Sequence, residues 1–428
     1  MKKIFNCADI LLPDFEKISG TRWACIACDQ YTSEPQYWEN AKREVGSSPS
    51  TLDLILPEVY LSRTEEMLVQ INNNMKEYLK NILISHPDSM LYLERTQSDG
   101  KIRRGIIGVV DLEEYDYRAS AQTPIRATEG TVLERIPPRV RIRKDACIEL
   151  PHVMLLIDDD KKAVIESISS ISDTLPIAYE FPLMQNGGKV KAHWLGSTEI
   201  DHVLCSLDSL VTEDEMERKY GDRTLAPLLF AVGDGNHSLA TAKECYELIK
   251  ADIGEEAAKD HPSRYALAEI VNLHDDALEF EPIYRVVFNA NVEDLICEMK
   301  NYAKTLCGDE PSQKIEIVQS DNTESFVFER PQAQLAVGTL QNFLDEYKSS
   351  HPEIEIDYIH GKESLRSLVT NKNTVGFIFD GMEKNQLFKT VIFDVCNFFD
   401  MSTDFYTIIF KKLHTYRTCK AQRSSQSA

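Results

Sequence analysis

Residues 233–238 combine two glycines with four polar side chains whose types can bind phosphate or move protons. In order they are Gly233, Asp234, Gly235, Asn236, His237 and Ser238. Glycine permits a positive φ and lets backbone N–H groups approach a ligand closely. The side chains add a carboxylate for a metal ion or a nucleophile, and hydrogen-bonding groups for phosphate. We therefore expect an anion-binding turn, with Asp234 and His237 as its catalytic candidates.

The residues on either side predict the elements that would position this turn. The apolar run 228–232 is typical of a buried strand. After the turn, Leu239, Ala242, Tyr246 and Ile249 recur at helical spacing. A helix start leaves N–H groups unpaired and carries partial positive charge, which favours phosphate. Ordinary turn chemistry would explain the same residues, and neither a Walker loop nor a dinucleotide fingerprint is present.

The most basic segment of the chain lies at residues 126–144. It contains Arg126, Arg139 and Arg143, with Glu129 as one of only two acids. Guanidinium groups could clamp phosphate or carboxylate through paired N–H donors. The alternative is a solvated surface that pairs with the acidic remainder of the chain. Two adjacent prolines at 137 and 138 predict a helix break within the segment.

The ten cysteines lack the spacing of a disulfide framework or a zinc site. One C-x-x-C, formed by Cys25 and Cys28, falls in the apolar run 23–28, and we predict a strand at 22–27. The two cysteines could form a redox pair or half of a metal site. We favour the alternative that they are small buried residues that only pack in the core. Asp29 follows in a polar turn before a predicted helix at 33–45.

Length, charge and hydropathy restrict the class of protein. A chain of 428 residues predicts two or three domains. A formal net charge of −22 argues against non-specific nucleic-acid binding by the chain as a whole. No apolar run approaches the ~20 residues that span a bilayer, and the first residues lack the pattern of a signal peptide. We expect a cytoplasmic protein without a membrane partner.

Strand and helix patterns alternate along the chain, which predicts an α/β protein with mixed sheets. We expect a main α/β domain at residues 1–290, which carries the glycine turn, and a smaller α/β domain at 291–390. The C-terminal segment 391–428 becomes polar and serine-rich, so we expect it to be partly frayed.

Several motifs, taken in order, resemble a bacterial and archaeal family known as domain of unknown function 1015. They are residues 28–31, Arg126 with Glu129, residues 234–242, Pro282 with Arg285, and residues 357–361. The resemblance covers residues 10–390. Two positions depart from the usual pattern, because Ser238 stands for an arginine and Ala240 for a glutamate. The proline and lysine of the family's closing motif are also missing.

That family is distantly similar to the ParB/sulfiredoxin-like fold, so the resemblance implies such a core together with a second, smaller α/β domain. Members of the fold place a glycine turn and a helix N-terminus against nucleotide phosphate. Asn236 stands where sulfiredoxin has its cysteine, which removes sulfiredoxin's thiol chemistry. Relatives of the fold include kinases of free serine and chromosome-partitioning clamp proteins.

Residues and resemblance together predict a phosphotransferase that uses ATP or another nucleotide with Mg²⁺ on a small hydroxylated metabolite. The expected catalytic residues are Asp234, His237, Glu129 and Asp29, with Asp234 also on the metal. The expected cofactor-binding residues are Gly233, Gly235, Asn236, Ser238, Arg126, Arg139, Arg143 and Arg285. The alternative is a nucleotide-binding switch of the partition type, which the acidic balance disfavours. A small-molecule substrate is the expected partner, nucleic acid is not, and a homo-oligomer is compatible with the sequence.

Overall fold

The computed structural model describes residues 3–26, 35–97, 99–118, 121–128, 136–150, 153–278, 282–393 and 413–415. The helices of these residues are α1 (Gly20–Trp23), α2 (Pro35–Val45), α3 (Thr64–Asn81), α4 (Ile136–Arg143), α5 (Ile165–Ser169), α6 (Ser197–Ser209), α7 (Glu213–Tyr220), α8 (Asn236–Ile253), α9 (Glu255–Ala258), α10 (Val292–Thr305), α11 (Ala336–Ser350), α12 (Lys362–Leu368) and α13 (Leu387–Phe393). No helix in these ranges is long and apolar enough to cross a membrane.

The strands of the same residues are β1 (Phe5–Asn6), β2 (Ala8–Pro13), β3 (Leu83–Ser89), β4 (Leu91–Thr96), β5 (Ile102–Asp111), β6 (Tyr115–Asp116), β7 (Ile125–Ala127), β8 (Ile148–Glu149), β9 (Val153–Ile157), β10 (Ile177–Pro182), β11 (Lys189–Trp194), β12 (Phe230–Asp234), β13 (Tyr265–Asn272), β14 (Ile283–Phe288), β15 (Gln313–Val318), β16 (Thr323–Phe328), β17 (Glu355–His360), β18 (Val375–Phe379) and β19 (Leu413–Thr415). One large mixed sheet and two smaller antiparallel sheets combine with helices, so the predicted α/β class is confirmed.

The largest sheet has ten strands, in the order β10-β11-β4-β5-β13-β9-β12-β7-β6, with β1 paired to β5. It is mixed, because β13 runs parallel to β9 and β12 runs parallel to β7, while β9 and β12 are antiparallel. β12 is an inner strand, so both of its edges are hydrogen-bonded. The strand that ends at the glycine turn is therefore held from both sides.

Apolar residues cover both faces of this sheet. On one face, Leu239 and Tyr246 of α8 pack with Ile106, Leu155 and Val232 from the strands. The other face carries two clusters. The first joins residues of α2 to β4, β5 and β11. The second brings Leu387 and Phe388 of α13 onto the residues of β9, β12 and β13.

A separate five-stranded antiparallel sheet, in the order β16-β15-β18-β14-β17, carries its own core with α10, α11 and α12. Its strand β14 begins at Ile283, before the predicted boundary at residue 291. The remaining sheet, β3-β2-β19-β8, joins strands from distant parts of the chain. The domain limits at 290 and 390 stay predictions.

The strand predicted at 22–27 is wrong. The chain forms the short helix α1 at Gly20–Trp23 and then continues without strand pairing through Ala24, Cys25 and Ile26, which are all buried. A short apolar run is compatible with either a buried helix or a strand, because periodicity cannot separate them. Cys25 is fully buried, as packing requires, and its motif partner Cys28 lies outside the described residues.

Candidate functional site: the glycine turn between β12 and α8

The glycine turn sits at the end of β12, as the sequence predicts. Phe230, Ala231 and Val232 are fully buried, and the ladder to β9 shifts register between Val232 and Asp234. A Cβ atom at Gly233 would lie 2.9 Å from the Leu156 side chain, so only glycine fits there without displacing Leu156. This irregularity lies at the end of β12, and irregularities of this kind change the direction in which the next side chain, here that of Asp234, points.

Gly235 adopts the left-handed conformation (φ 82°, ψ 28°) and directly precedes α8. Gly235 has no side chain that could cap this helix, and the first turn of the helix contains no acid. The first backbone bond of the helix runs from the Leu239 N–H to the Gly235 carbonyl (2.9 Å). The first N–H groups of any α-helix find no carbonyl partner within the helix itself. A helix start with partial positive charge attracts an anion.

Asn236 supplies an independent sign of a ligand. Its side chain is only 4% exposed, yet Oδ1 is fully buried and accepts no hydrogen bond within the described chain. A buried acceptor without a donor costs about 1–3 kcal/mol. A water molecule, an ion or a ligand can supply the missing partner of such a group.

Asp234, His237 and Ser238 are half-buried around the same helix start. The carboxylate of Asp234 accepts a hydrogen bond from the Gly235 N–H through Oδ1 (2.6 Å). The His237 carbonyl accepts one from the Thr241 hydroxyl (2.7 Å), which secures the first turn of α8. Gly233, Asp234, Gly235, Asn236, His237 and Ser238 thus form the end of β12 and the start of α8, and their roles in binding and catalysis stay predictions.

Two of the predicted catalytic carboxylates, Asp29 and Glu129, lie outside the described residues. Thr128, the neighbour of Glu129, is described, and its hydroxyl donates to the Val232 carbonyl (2.6 Å). The end of β7 therefore contacts β12 one residue before Gly233. Sequence reasoning missed Thr128, because a threonine after a strand carries no signal of its long-range partner.

Arg126 is placed at the opposite end of β12 from the glycine turn. It is 4% exposed. Its Nε donates to the Thr123 carbonyl (2.9 Å) and its Nη2 to the Ala226 carbonyl (2.9 Å). Burial lowers the pKa of this guanidinium. These bonds tie the start of β7 to the chain that enters β12.

Arg139 and Arg143 lie on α4, which packs on α8. The prolines predicted to break a helix occupy its first turn, where a missing N–H costs nothing. Arg143 forms an ion pair with Glu149, whose side chain is buried. Arg143 also lies near Cys245, which is the tenth residue of α8. Arg143 is therefore placed along α8 and not at the start of that helix.

Arg285 lies within the five-stranded sheet and is 1% exposed. Its Nε donates to Gln341 Oε1 (2.8 Å), and its guanidinium stacks over the Tyr358 ring at 4.3 Å. The ladder between β14 and β17 sets Arg285 opposite Tyr358. The motif of Pro282 with Arg285 and the motif at residues 357–361 are thus neighbours in the five-stranded sheet.

A buried ion pair crosses the sheet face that α2 covers. Arg103 is 1% exposed, and its Nη2 lies 3.1 Å from Glu269 Oε2. The pair lies over Gly105, where a Cβ atom would stand 2.5 Å from Glu269 Oε1. The absence of a side chain at Gly105 is what allows Glu269 to reach Arg103.

A second charged cluster follows the ends of β9 and β13. Asp158 Oδ1 lies 2.7 Å from His274 Nε2, and Oδ2 accepts a hydrogen bond from the Tyr220 hydroxyl (2.8 Å). Lys219 Nζ is 3.4 Å from the same carboxylate. Every oxygen of Asp158 is thus satisfied by protein groups, which marks a structural anchor for α7.

A family model for a protein of unknown function, DUF1015, matches residues 12–347, which is most of the chain. The chain belongs to the DUF1015 family. Comparison of this DUF1015 protein with curated proteins gave no match.

Solved structures give three distant likenesses to this DUF1015 protein. A conserved hypothetical protein from Pyrococcus furiosus is 12% identical, with 66% of this chain and 82% of that chain covered and a TM-score of 0.30. A free serine kinase mutant in complex with AMP is 12% identical, with 69% and 85% covered and a TM-score of 0.34. A C-terminally truncated SbnI from Staphylococcus aureus is 9% identical, with 68% and 78% covered and a TM-score of 0.32. At these TM-scores the likenesses carry no argument.

Proposed function

We propose that this protein is a nucleotide-dependent phosphotransferase that acts on a small hydroxylated metabolite in the cytoplasm. One observation carries the proposal: α8 starts directly after a left-handed glycine, and buried Asn236 has an Oδ1 there without a partner in the described chain. A helix start with directed N–H groups holds phosphate without large side-chain movement. The ParB/sulfiredoxin-like core stays a prediction.

The backbone N–H groups of Asn236 and Ser238 would hold the phosphates, with the His237 and Ser238 side chains as further donors. Positioned donors of this kind stabilise charge that develops during phosphoryl transfer. The guanidinium groups of Arg126 and Arg285 bond other parts of the protein, so the proposal relies on the helix start rather than on arginine.

Asp234 is the carboxylate that would hold Mg²⁺ or orient the attacking hydroxyl. Mg²⁺ is usually held by one or two carboxylates together with substrate phosphates and water. The described residues contain no group of three metal-ligating side chains, so a cage built from those residues alone is absent. One carboxylate beside a phosphate site fits Mg²⁺ that arrives with a nucleotide.

Binding can be tested with a pair of matched glycine variants. Gly235 and Gly221 are both left-handed and both adjoin a helix end (φ 82° and 80°). Alanine at either should cost about 1–2 kcal/mol of stability, because Cβ crowds the backbone. Only Gly235→Ala should also lose the rise in melting temperature that millimolar Mg–ATP gives the wild type.

Two outcomes would count against this site. If no nucleoside triphosphate raises the melting temperature of the wild type, α8 does not hold phosphate. If Gly235→Ala responds to Mg–ATP as fully as Gly221→Ala, phosphate binds elsewhere. Incubation of wild type with ATP and a metabolite extract, followed by ³¹P NMR, separates a phosphotransferase from a nucleotide switch, because only the former gives a new phosphorylated product.

A further inference from the structure

The late strand β19 closes a gap in the smallest of the three sheets. It lies between β2 and β8, with His414 in register with Ile10 on one side and with Glu149 on the other. β2 also pairs with β3, whereas β8 pairs with no other strand in the described parts of the chain. The backbone of β8 therefore belongs to a sheet only while β19 is in place.

The hold of this sheet on β19 is limited by the length of the strand. β19 has three residues, Leu413–Thr415, and its pairing spans two residues with each neighbour. Few backbone hydrogen bonds must break for such a strand to leave, and elements near a chain end open at low free energy. The ten-stranded sheet shares no strand with this one. β19 can therefore leave while the large sheet stays folded.

Side-chain packing holds β8 only in part. Ile148 is 2% exposed and belongs to one apolar cluster with Leu11, Met75 and Tyr78. This cluster buries apolar surface, but it gives no partner to the backbone N–H and C=O groups of β8. Without β19, those groups must pair with water, which requires the segment to open locally.

Glu149 on β8 connects the small sheet to α4. Its buried side chain forms an ion pair with Arg143, the last residue of α4. The helix α4 in turn packs on α8, which begins at the glycine turn. Separation of a buried ion pair leaves an uncompensated charge, so the two groups must move together. A displacement of the β8 backbone therefore reaches the end of α4.

We propose that β19 acts as a detachable latch of the fold. When seated, it holds β8 and, through the ion pair of Glu149 with Arg143, the end of α4. When it leaves, the gap between β2 and β8 opens and β8 loses its backbone anchor. An open gap of this kind accepts an extended segment by strand addition, so the same sequence supplied as a separate peptide closes it. The latch does not depend on the proposed phosphotransferase activity.

Hydrogen–deuterium exchange followed by mass spectrometry measures the latch in the full chain. His414→Pro removes a backbone N–H from β19 and is incompatible with an inner strand. Exchange of the amides of residues 145–150 should then become about tenfold faster or more, because β8 opens locally. Ser424→Pro, later in the same tail, is the matched control and should leave this exchange unchanged. The amides of β5 and β13 should exchange alike in all three proteins.

A peptide of residues 409–418 separates release of the latch from misfolding. Added in excess to the His414→Pro protein, the peptide should restore slow exchange at residues 145–150. The same peptide carrying His414→Pro should not restore it, because it cannot complete the pairing with β2 and β8.

The exchange rates decide the proposal. Faster exchange confined to residues 145–150 and α4, with recovery on addition of the peptide, supports the latch. Equal exchange at these residues in the wild type and in His414→Pro overturns it, because β8 is then held without β19. Faster exchange throughout β5 and β13 also overturns it, since β19 would then be part of the global fold. Failure of the peptide to slow the exchange overturns it as well, because the gap would then not bind a strand.

Discussion

Asp158 offers the sharpest test of how charge stabilises this fold, because its surroundings oppose one another. Its side chain is 14% exposed. Burial by itself would raise the pKa of the carboxyl group. The hydrogen bond with His274, the charge of Lys219 and the Tyr220 hydroxyl outweigh burial and lower the pKa to about 2. The ionised form is therefore favoured in the folded state.

The difference between the ordinary pKa of 3.8 and about 2 corresponds to about 2.4 kcal/mol of stability. Since the folded value is the lower one, this stability is present above pH 3.8 and is lost as pH falls through about 2. Removal of the carboxylate also leaves Lys219, 7% exposed, without its charge partner. Loss of one member of a buried pair costs about 3–5 kcal/mol at most.

The perturbation is Asp158→Asn, measured by urea denaturation at pH 7, 5 and 3. We expect a loss of about 2–4 kcal/mol at pH 7. The loss should shrink at pH 3, because the Asp158 carboxyl group of the unfolded wild-type chain, with its pKa of 3.8, is then mostly protonated. Asp160→Asn is the matched control. Its partner Arg218 is 41% exposed, so that change should cost at most about 1 kcal/mol. Equal losses in the two variants, or a loss independent of pH, would refute the reasoning.

Two further predictions concern packing. Gly105→Ala should cost about 1–3 kcal/mol, because the new Cβ would displace Glu269 from Arg103; an unchanged urea midpoint would contradict that crowding. Cys25→Ala should cost about 1 kcal/mol at this fully buried position and leave the response to Mg–ATP intact. If Cys25 instead supports a redox activity, that response should depend on a reversible dithiol oxidation, which non-reducing electrophoresis and titration would reveal.

The local part of the candidate site could be predicted from sequence. An apolar run, two glycines and a helical repeat predict a strand, a turn and a helix, and the structure has β12, Gly235 and α8 there. The periodicity and the glycines are local properties, so no distant contact was needed. The α/β class follows from the same alternation along the chain.

Long-range placement could not be predicted in this way. Arg126 stands in a basic segment and suggests a phosphate clamp, yet its guanidinium turns toward the carbonyls of Thr123 and Ala226. Nothing in the sequence tells which way a strand side chain extends once its neighbours are in place. The register of β7 against β12, about 100 residues later, decides it. The pairing of β8 with β19 likewise joins residues from distant parts of the chain.

The position of α13 has a consequence for the order in which the molecule can be completed during synthesis. Leu387 and Phe388 cover apolar residues of β9, β12 and β13, which precede them by more than 100 residues. β19 likewise pairs with β2, so a late strand closes a sheet that an early one begins. A growing chain therefore carries these apolar residues without this cover until Leu387 and Phe388 have left the ribosome. Apolar surface that stays exposed during synthesis is prone to aggregation, so α13 protects the sheet that bears Gly235 only late in synthesis.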